Sequence, residues 1–232
     1  YANPYVRYNT PYREVGACNE IIASIPEGTT NSEMIQKMAQ ARAMRGFSYM
    51  KLAPNYQFGY VKAADMPCIP LLKTGTDFTH NPRATVKQVY EYILEDLNYA
   101  VENLAGYTRP NKGYIDQKVA YGLRARINLL MENWAAAAAD AEKAMAGYTP
   151  LSIDEVKTLG FCDINTHNWM WGILVSKEKQ VKTGSDAASP AAWLSPITAN
   201  GYSTAAGCLP CVSKLLYDKI PATDARKNWW LN

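Results

Sequence analysis

Histidine is almost missing from this chain: His80 and His167 are all it has. An imidazole-built zinc site, or a nucleophile with a histidine base, therefore has little to draw on. Cysteine does not fill the gap. The five cysteines are odd in number and scattered, which argues against a disulfide framework, and Cys208-Leu-Pro-Cys211 is a CxxC without a second one. Small buried hydrophobes, or an incidental pair, are the simpler reading. No apolar run reaches the ~18 residues of a membrane span, and no signal peptide heads the chain. Basic stripes are lacking as well: 24 Lys and Arg stand against 21 Asp and Glu, a net charge of +3 without a run, so nucleic acid is not an expected partner. There is no Gly-rich phosphate loop, no zinc helix and no nucleophile motif with a histidine partner. Glu95 with Asp96, and Glu14 with Glu20, are helix-face carboxylates without a shared apolar pocket, whereas a glycosidase needs two carboxylates flanking one bond. No catalytic residue, metal or cofactor is expected, and an enzyme is the least favoured class.

What is present is a globular composition, 48% hydrophobic and 19% charged. At 232 residues the chain is long enough for a sizeable core, as one large domain or two small ones. It starts abruptly at Tyr1 and stops at Asn232, and it reads as a fragment of a longer protein, so absent targeting signals carry no weight. Aromatic usage is skewed, with 16 Tyr and 6 Trp against 4 Phe. Rings with an apolar face and a polar tip suit half-exposed positions and binding surfaces.

The stretch from Lys118 to Pro150 organises the rest. Val119, Leu123, Ile127, Leu130 and Met131 recur by threes and fours and predict one apolar helix face. Glu132-Asn133 breaks the pattern, and Trp134 opens an alanine-rich helix with Ala137, Ala141 and Ala144 on one side. With Ala125 as the small residue of the first helix, this hairpin resembles a tetratricopeptide (TPR) repeat of ~34 residues. Such a hairpin needs neighbours of its own kind. Earlier in the chain, residues 1–12 read as an irregular leading segment and Glu14 to Ile25 as a short helix. A longer helix follows the Asn31-Ser32 caps and runs to Leu52, with Ile35, Met38, Ala39, Phe47 and Met50 expected inward. Arg42 and Arg45 on that helix must snorkel or pair with carboxylates. A long connection, Asn55 to Arg83, carries Gly59, Pro67, Pro70, Gly75 and Pro82. Thr85 then caps the most regular helix of the chain, to Leu104. The fold class is thus mainly α: residues 1–150 form a scaffold of TPR-like helical hairpins, and residues 151–232 an irregular, loop-rich, ligand-binding part of the same domain. Within the latter, Asp163 to Val175 ends in an apolar run that suits a strand, and Val212 to Tyr217 a final helical turn or two.

Three stretches, AQARAMRGFSYMKL with its following loop, RATVKQVYEYILEDLNYAVENL, and KVAYGLRARINLLMENWAAAAADAEKAM, together resemble the SusD/RagB family of nutrient-binding outer-membrane lipoproteins. The match is carried by Ala41, Arg42, Arg45, Phe47, Tyr49 and Leu52, by Arg83, Val86, Val89, Tyr90, Ile93, Asp96, Leu97 and Ala100, and by the Lys118–Met145 hairpin. Gly46 stands where that family usually has alanine. The tail IPATDARK, with Asp224 and Arg226, resembles a further family segment, whereas HNWMWGI departs from it at Asn168 and Trp169. The resemblance implies a helical TPR-containing fold whose irregular half carries the ligand site. It also implies a surface-exposed outer-membrane location and delivery of an oligosaccharide, or in some members a peptide, to a SusC-like TonB-dependent transporter. The membrane would be reached only through a lipid anchor outside this fragment.

A sugar site wants flat aromatics with Asn, Asp or Arg nearby. Trp193, in a Pro/Ser/Ala-rich loop, is the leading candidate, followed by Tyr202 and Asn200 from the same loop. Tyr5 and Tyr8, flanked by Asn3, Arg7 and Asn9, form a second aromatic-polar cluster that would close the other side. Trp169 and Trp171 would share one face of a strand as core or interface, and Trp134 reads as a packing residue. The rival reading is a TPR adaptor for a partner peptide, which would call for a charged groove on the helices and no aromatic loop cluster. A glycan-active enzyme is the third.

Overall fold

The structure, a computed structural model, describes residues 2–75, 81–157, 164–172, 212–225 and 227. It divides into two compact units, Tyr1–Tyr148 and Thr149–Asn232. The first unit is built of helices that pack on one another in chain order. Helix α1 (Ala2–Ala23) lies against α2 (Ser32–Leu52), α2 against α4 (Val86–Asn103), α4 against α5 (Gln117–Leu130), and α5 against α6 (Trp134–Met145). Between α2 and α4 come a 3₁₀ turn (Ala53–Asn55), the single turn α3 (Tyr60–Ala63), and two antiparallel strands, β1 (Pro67–Pro70) and β2 (Arg83–Thr85). Stacked helical hairpins of this sort bury each apolar face against the next. The chain is mainly α, as its periodicity predicts.

The helix starts follow from local chemistry. Asn31 Oδ1 accepts from the Glu33 and Met34 amides, and Glu33, in the first turn, pairs with Lys37 at 2.7 Å. Thr85 and Gln88 close a capping box on α4. Asp116 accepts from the Val119 amide at 2.9 Å to start α5. Between α5 and α6 the chain turns through Glu132, whose φ of 61° is left-handed, and the Asn133 amide returns to the Asn128 carbonyl at 2.9 Å.

Four expectations need correction. Residues 1–12 are not irregular: α1 runs unbroken through Pro11. Pro11 removes the amide that would bond to the Arg7 carbonyl, yet burial of Tyr12, Val15 and Cys18 against α2 outweighs that loss. On α2 the buried set is Ala39, Ala41, Ala43, Arg45, Gly46, Ser48, Tyr49, Met50 and Leu52, while Ile35, Met38 and Phe47 are half-buried. A paired arginine inside turned the helix away from the face that hydrophobicity alone selects. At the α5–α6 turn, Leu130 and Trp134 are exposed rather than packed, Trp134 at 60%. Finally, residues 169–172 form no strand. The Trp169 indole folds over Gly172, where a Cβ would meet Nε1 at 2.8 Å, and donates to the Trp171 carbonyl at 2.9 Å. That bond uses a carbonyl a ladder would need, so the two tryptophans do not share a strand face.

Gly46 gives a direct test of packing. A Cβ there would meet the Ile93 carbonyl oxygen and Leu97 Cγ at 3.5 Å and Asp96 Cβ at 3.6 Å, ordinary contact distances. Gly46→Ala is therefore expected to stabilise the protein by about 0.5–1 kcal/mol through the lower entropy of its unfolded chain. A urea midpoint below that of the parent protein would refute it.

The interior of the first unit is joined by one polar hub. Asp96, fully buried, accepts from Arg42 Nε and from Arg45 Nε and Nη2, each at 2.8 Å. Arg45 also donates to Asn19 Oδ1 at 2.7 Å and to the Lys73 carbonyl at 3.2 Å. Asn19 in turn donates to the Leu72 and Gly75 carbonyls at 3.3 and 2.8 Å. The expectation that Arg42 and Arg45 find carboxylates is met by this arrangement. Burial alone would lower the Arg45 guanidinium, but the Asp96 hydrogen bonds and charge hold it above its ordinary value.

A smaller pair repeats the device between α5 and α6. Arg124 grips Asp140 with Nε at 2.8 Å and Nη2 at 2.7 Å. That pair replaces part of the apolar contact the alanines of α6 are too small to supply.

In the second unit, α7 (Ile153–Lys157) and α8 (Lys214–Lys219) are short. The latter matches the expected final helical turns. Cys18 and Cys68 are buried free thiols, with Cys18 pushed up to about 11 by burial. Cys208 and Cys211 lie outside the described residues.

Candidate functional site

Tyr8 and Tyr12 stand one turn apart on α1, so their rings meet, at 4.7 Å between centroids. Tyr56, in the turn after α2, sets its edge against Tyr8 at 5.5 Å and 89°. Inward, the series continues from Tyr12 to Tyr49 at 6.3 Å and from Tyr49 to Tyr92 at 6.0 Å. Five tyrosines thus run from the surface of α1 through the core to α4. Their polar tips are met as they go in. Tyr12 donates to the Pro70 carbonyl at 2.7 Å. Tyr49 donates to the Leu72 carbonyl at 3.0 Å and accepts from the Leu72 amide at 2.7 Å. Burial raises the phenols of Tyr12 and Tyr49, and pushes Tyr92 up to about 12.

At the outer end the rings reach water. Tyr5 is exposed, Tyr8 half-buried, and Tyr56 and Phe58 exposed, Phe58 at 64% with Lys62 Nζ 4.2 Å from its ring centroid. Arg7 is close enough to Tyr56 to oppose the rise in its phenol that burial and Tyr8 produce. Tyr8 and Tyr56 with Arg7 nearby combine flat apolar faces with a polar group, the chemistry that sugar rings or aromatic-rich peptides need. Of the residues expected from sequence, Tyr5 and Tyr8 lie on one face of α1. Tyr56 and Phe58 were missed. The Tyr-Gln-Phe-Gly-Tyr run from Tyr56 to Tyr60, inside the long connection, was the feature that could have found them.

A second surface lies beside the β1–β2 pair, where Leu71, Lys73, Asn81, Arg83, Gln88, Glu91, Tyr92 and Glu95 line a groove of about 480 Å³. No sequence pattern announces it, because its walls come from residues just after β1, from residues 81–84 leading into and along β2, and from one face of α4. In the second unit, Glu155 accepts from the Ser152 hydroxyl at 2.7 Å and lies 3.0 Å from His167 Nε2. Those bonds, Ser152 first, draw its carboxyl down to about 2. His167 Nδ1 is 3.3 Å from the Thr149 hydroxyl.

Trp193, Asn200 and Tyr202 lie outside the described residues, as does Arg226. Asp224 closes a turn with its amide on the Pro221 carbonyl at 3.0 Å. Among the described residues, no three His, Cys, Asp or Glu side chains converge on a metal position. No described helix is long and apolar enough to cross a membrane.

The family described as SusD-like, "Starch-binding associating with outer membrane", matches residues 1–129. A SusD-like carbohydrate-binding protein from Bacteroides vulgatus superposes with a TM-score of 0.68 at 22% identity, over 88% of this chain and 49% of its own. A SusD superfamily protein from Bacteroides thetaiotaomicron gives 0.67 at 23% identity, over 78% of this chain and 41% of its own. A laminarin-binding SusD-like protein gives 0.57 at 20% identity, over 70% and 36%. At these identities the likeness is one of fold, and the chain spans about half the length of these proteins or less. No curated protein matches the chain.

Proposed function

The chain belongs to the SusD-like family, and from that premise we propose that it captures a nutrient glycan at the cell surface and delivers it to a SusC-like TonB-dependent transporter in the outer membrane. The family match over residues 1–129 carries the reading. The family's own description places it in association with the outer membrane. The Tyr8–Tyr56 ring pair, with Arg7 close to Tyr56, supports it, since a sugar ring needs a flat apolar face with a polar group beside it. In this reading residues 1–150 are the scaffold, and residues 151–232 are the ligand-binding part, with Trp193, Asn200 and Tyr202 as its candidate contacts. Binding without turnover is the proposed activity, and an oligopeptide is the alternative cargo.

The test is a binding screen of the intact protein against soluble oligosaccharides and peptides, by tryptophan fluorescence and affinity electrophoresis. A glycan is expected to bind, and Trp193→Ala to weaken that binding at least tenfold, about 1.4 kcal/mol, with the urea midpoint unchanged. A loss of about 3–5 kcal/mol in stability instead would mark Trp193 as a packing residue. Peptide binding alone would move the site away from sugar stacking, and binding of neither class would put the TPR adaptor first.

A further inference from the structure

We propose that the groove beside the β1–β2 pair is an anion-accepting subsite for an acidic glycan, with Lys73 and Arg83 holding a carboxylate or sulfate of the sugar. The inference rests on the glycan-binding reading and names the class of glycan.

Charge pairing singles out these two cations. Four charged side chains line the groove: Lys73, Arg83, Glu91 and Glu95. Glu95 is taken by Arg42 at 2.9 Å, and Glu91 faces Lys87 one turn earlier on α4 at 3.9 Å. Asp96, behind the groove wall, is saturated by Arg42 and Arg45. Each of these three carboxylates is therefore already paired with a cation other than Lys73 or Arg83. Lys73 and Arg83 have no carboxylate within 4.0 Å among the described residues. Two unmatched positive charges on one concavity draw an anion more strongly than either does on an open surface.

The backbone holds them in place. The Lys73 carbonyl accepts from buried Arg45, and Asn19 fixes the carbonyls of Leu72 and Gly75 on either side. Arg83 sits on β2 opposite Pro70 of β1. Positioned guanidinium and ammonium groups are what recognition of a planar carboxylate or a sulfate ester uses, the first as a fork and the second as a point charge. The rest of the lining suits a sugar rather than a bare ion. Asn81 and Gln88 carry amides that reach hydroxyls, Glu91 is an acceptor, and Tyr92 contributes an aromatic edge, with Lys73 Nζ 5.6 Å from its ring centroid. At about 480 Å³ the space falls within the range of small-ligand sites.

The experiment is calorimetric titration of the full chain with three probes of matched length: an oligogalacturonate, a sulfated galactan oligosaccharide and a neutral gluco-oligosaccharide. Binding of an acidic probe is expected, weakening as salt is raised. Lys73→Gln and Arg83→Gln are each expected to weaken it about tenfold, leaving the circular dichroism and urea midpoint unchanged, since neither side chain is part of the buried network. Preference for the oligogalacturonate assigns a carboxylate, and preference for the sulfated probe assigns a sulfate. If the neutral probe binds and the acidic ones do not, or if Lys73→Gln/Arg83→Gln binds the acidic probe as tightly as the parent, the subsite is overturned while glycan binding stands. If no probe binds, both readings fall.

Discussion

Asp96→Asn is expected to destabilise the first unit by about 3–5 kcal/mol, the magnitude found when one member of a buried ion pair is removed. The side chain keeps its shape and loses its charge, so packing is not what the experiment tests. Asp96 is fully buried and answers two guanidiniums through three hydrogen bonds of 2.8 Å. With an amide in its place, at least one donor of Arg42 or Arg45 faces an NH2 group, and Arg45, 4% exposed at its side chain, has no water to turn to. Glu95→Gln is the control. Its carboxylate also pairs with Arg42 but is 63% exposed, and exposed pairs contribute about 0–1 kcal/mol. Urea denaturation monitored by far-ultraviolet circular dichroism separates the two. Equal, small effects for both variants would mean that α2 and α4 are held by apolar contact alone.

The second large effect concerns one hydroxyl. Tyr49→Phe is expected to destabilise by about 1–3 kcal/mol, because it leaves both backbone groups of Leu72 without the oxygen that serves them. The Leu72 amide loses its acceptor altogether, while its carbonyl keeps the longer bond from Asn19, at 3.3 Å. Strain is not introduced, since phenylalanine fills the same space. The same substitution should alter alkaline behaviour. The Tyr49 phenol is held above its ordinary value of 10.0, chiefly by burial. A group raised in the folded state contributes in full below the unfolded value and loses that contribution as pH rises through the folded one. The parent protein is therefore expected to lose stability above pH 10, and Tyr49→Phe to lose less over the same interval. A parallel decline in the two proteins would show that Tyr49 ionises as freely as it does in the unfolded chain.

How much of this was legible beforehand varies by residue. The course of α4 was plain, because Val86, Val89, Ile93, Leu97 and Ala100 keep strict helical spacing and Thr85 caps them. The pairing of Arg42 and Arg45 was legible as a need, though its answer, Asp96, lies over fifty residues away. Pattern reading failed where long-range contact decides. The first half of α1 carries Asn, Tyr and Pro, poor local helix formers, and holds together through what α2 offers it. Leu130 follows the apolar spacing of α5 yet lies at the helix end, beyond the surface α4 covers. The short β-pair eluded periodicity because β1 has a proline at each end and only Cys68 and Ile69 buried between them. As for the site, the aromatic-polar cluster near the start drew attention to Tyr5 and Tyr8, but a groove lined by residues 71–73, 81–84 and one face of α4 leaves no single run to notice.

The hub at Arg45 has a consequence for motion. One guanidinium is bonded to α1 through Asn19, to α4 through Asp96 and to the segment after β1 through Lys73. None of these segments can swing out alone without stranding a buried charge. The chain following β1 therefore shares the lifetime of the helices instead of breathing as surface loops do. The Leu72 amide, though it belongs to no helix or strand, should exchange its hydrogen with solvent as slowly as the slowest amides of α4, through global opening.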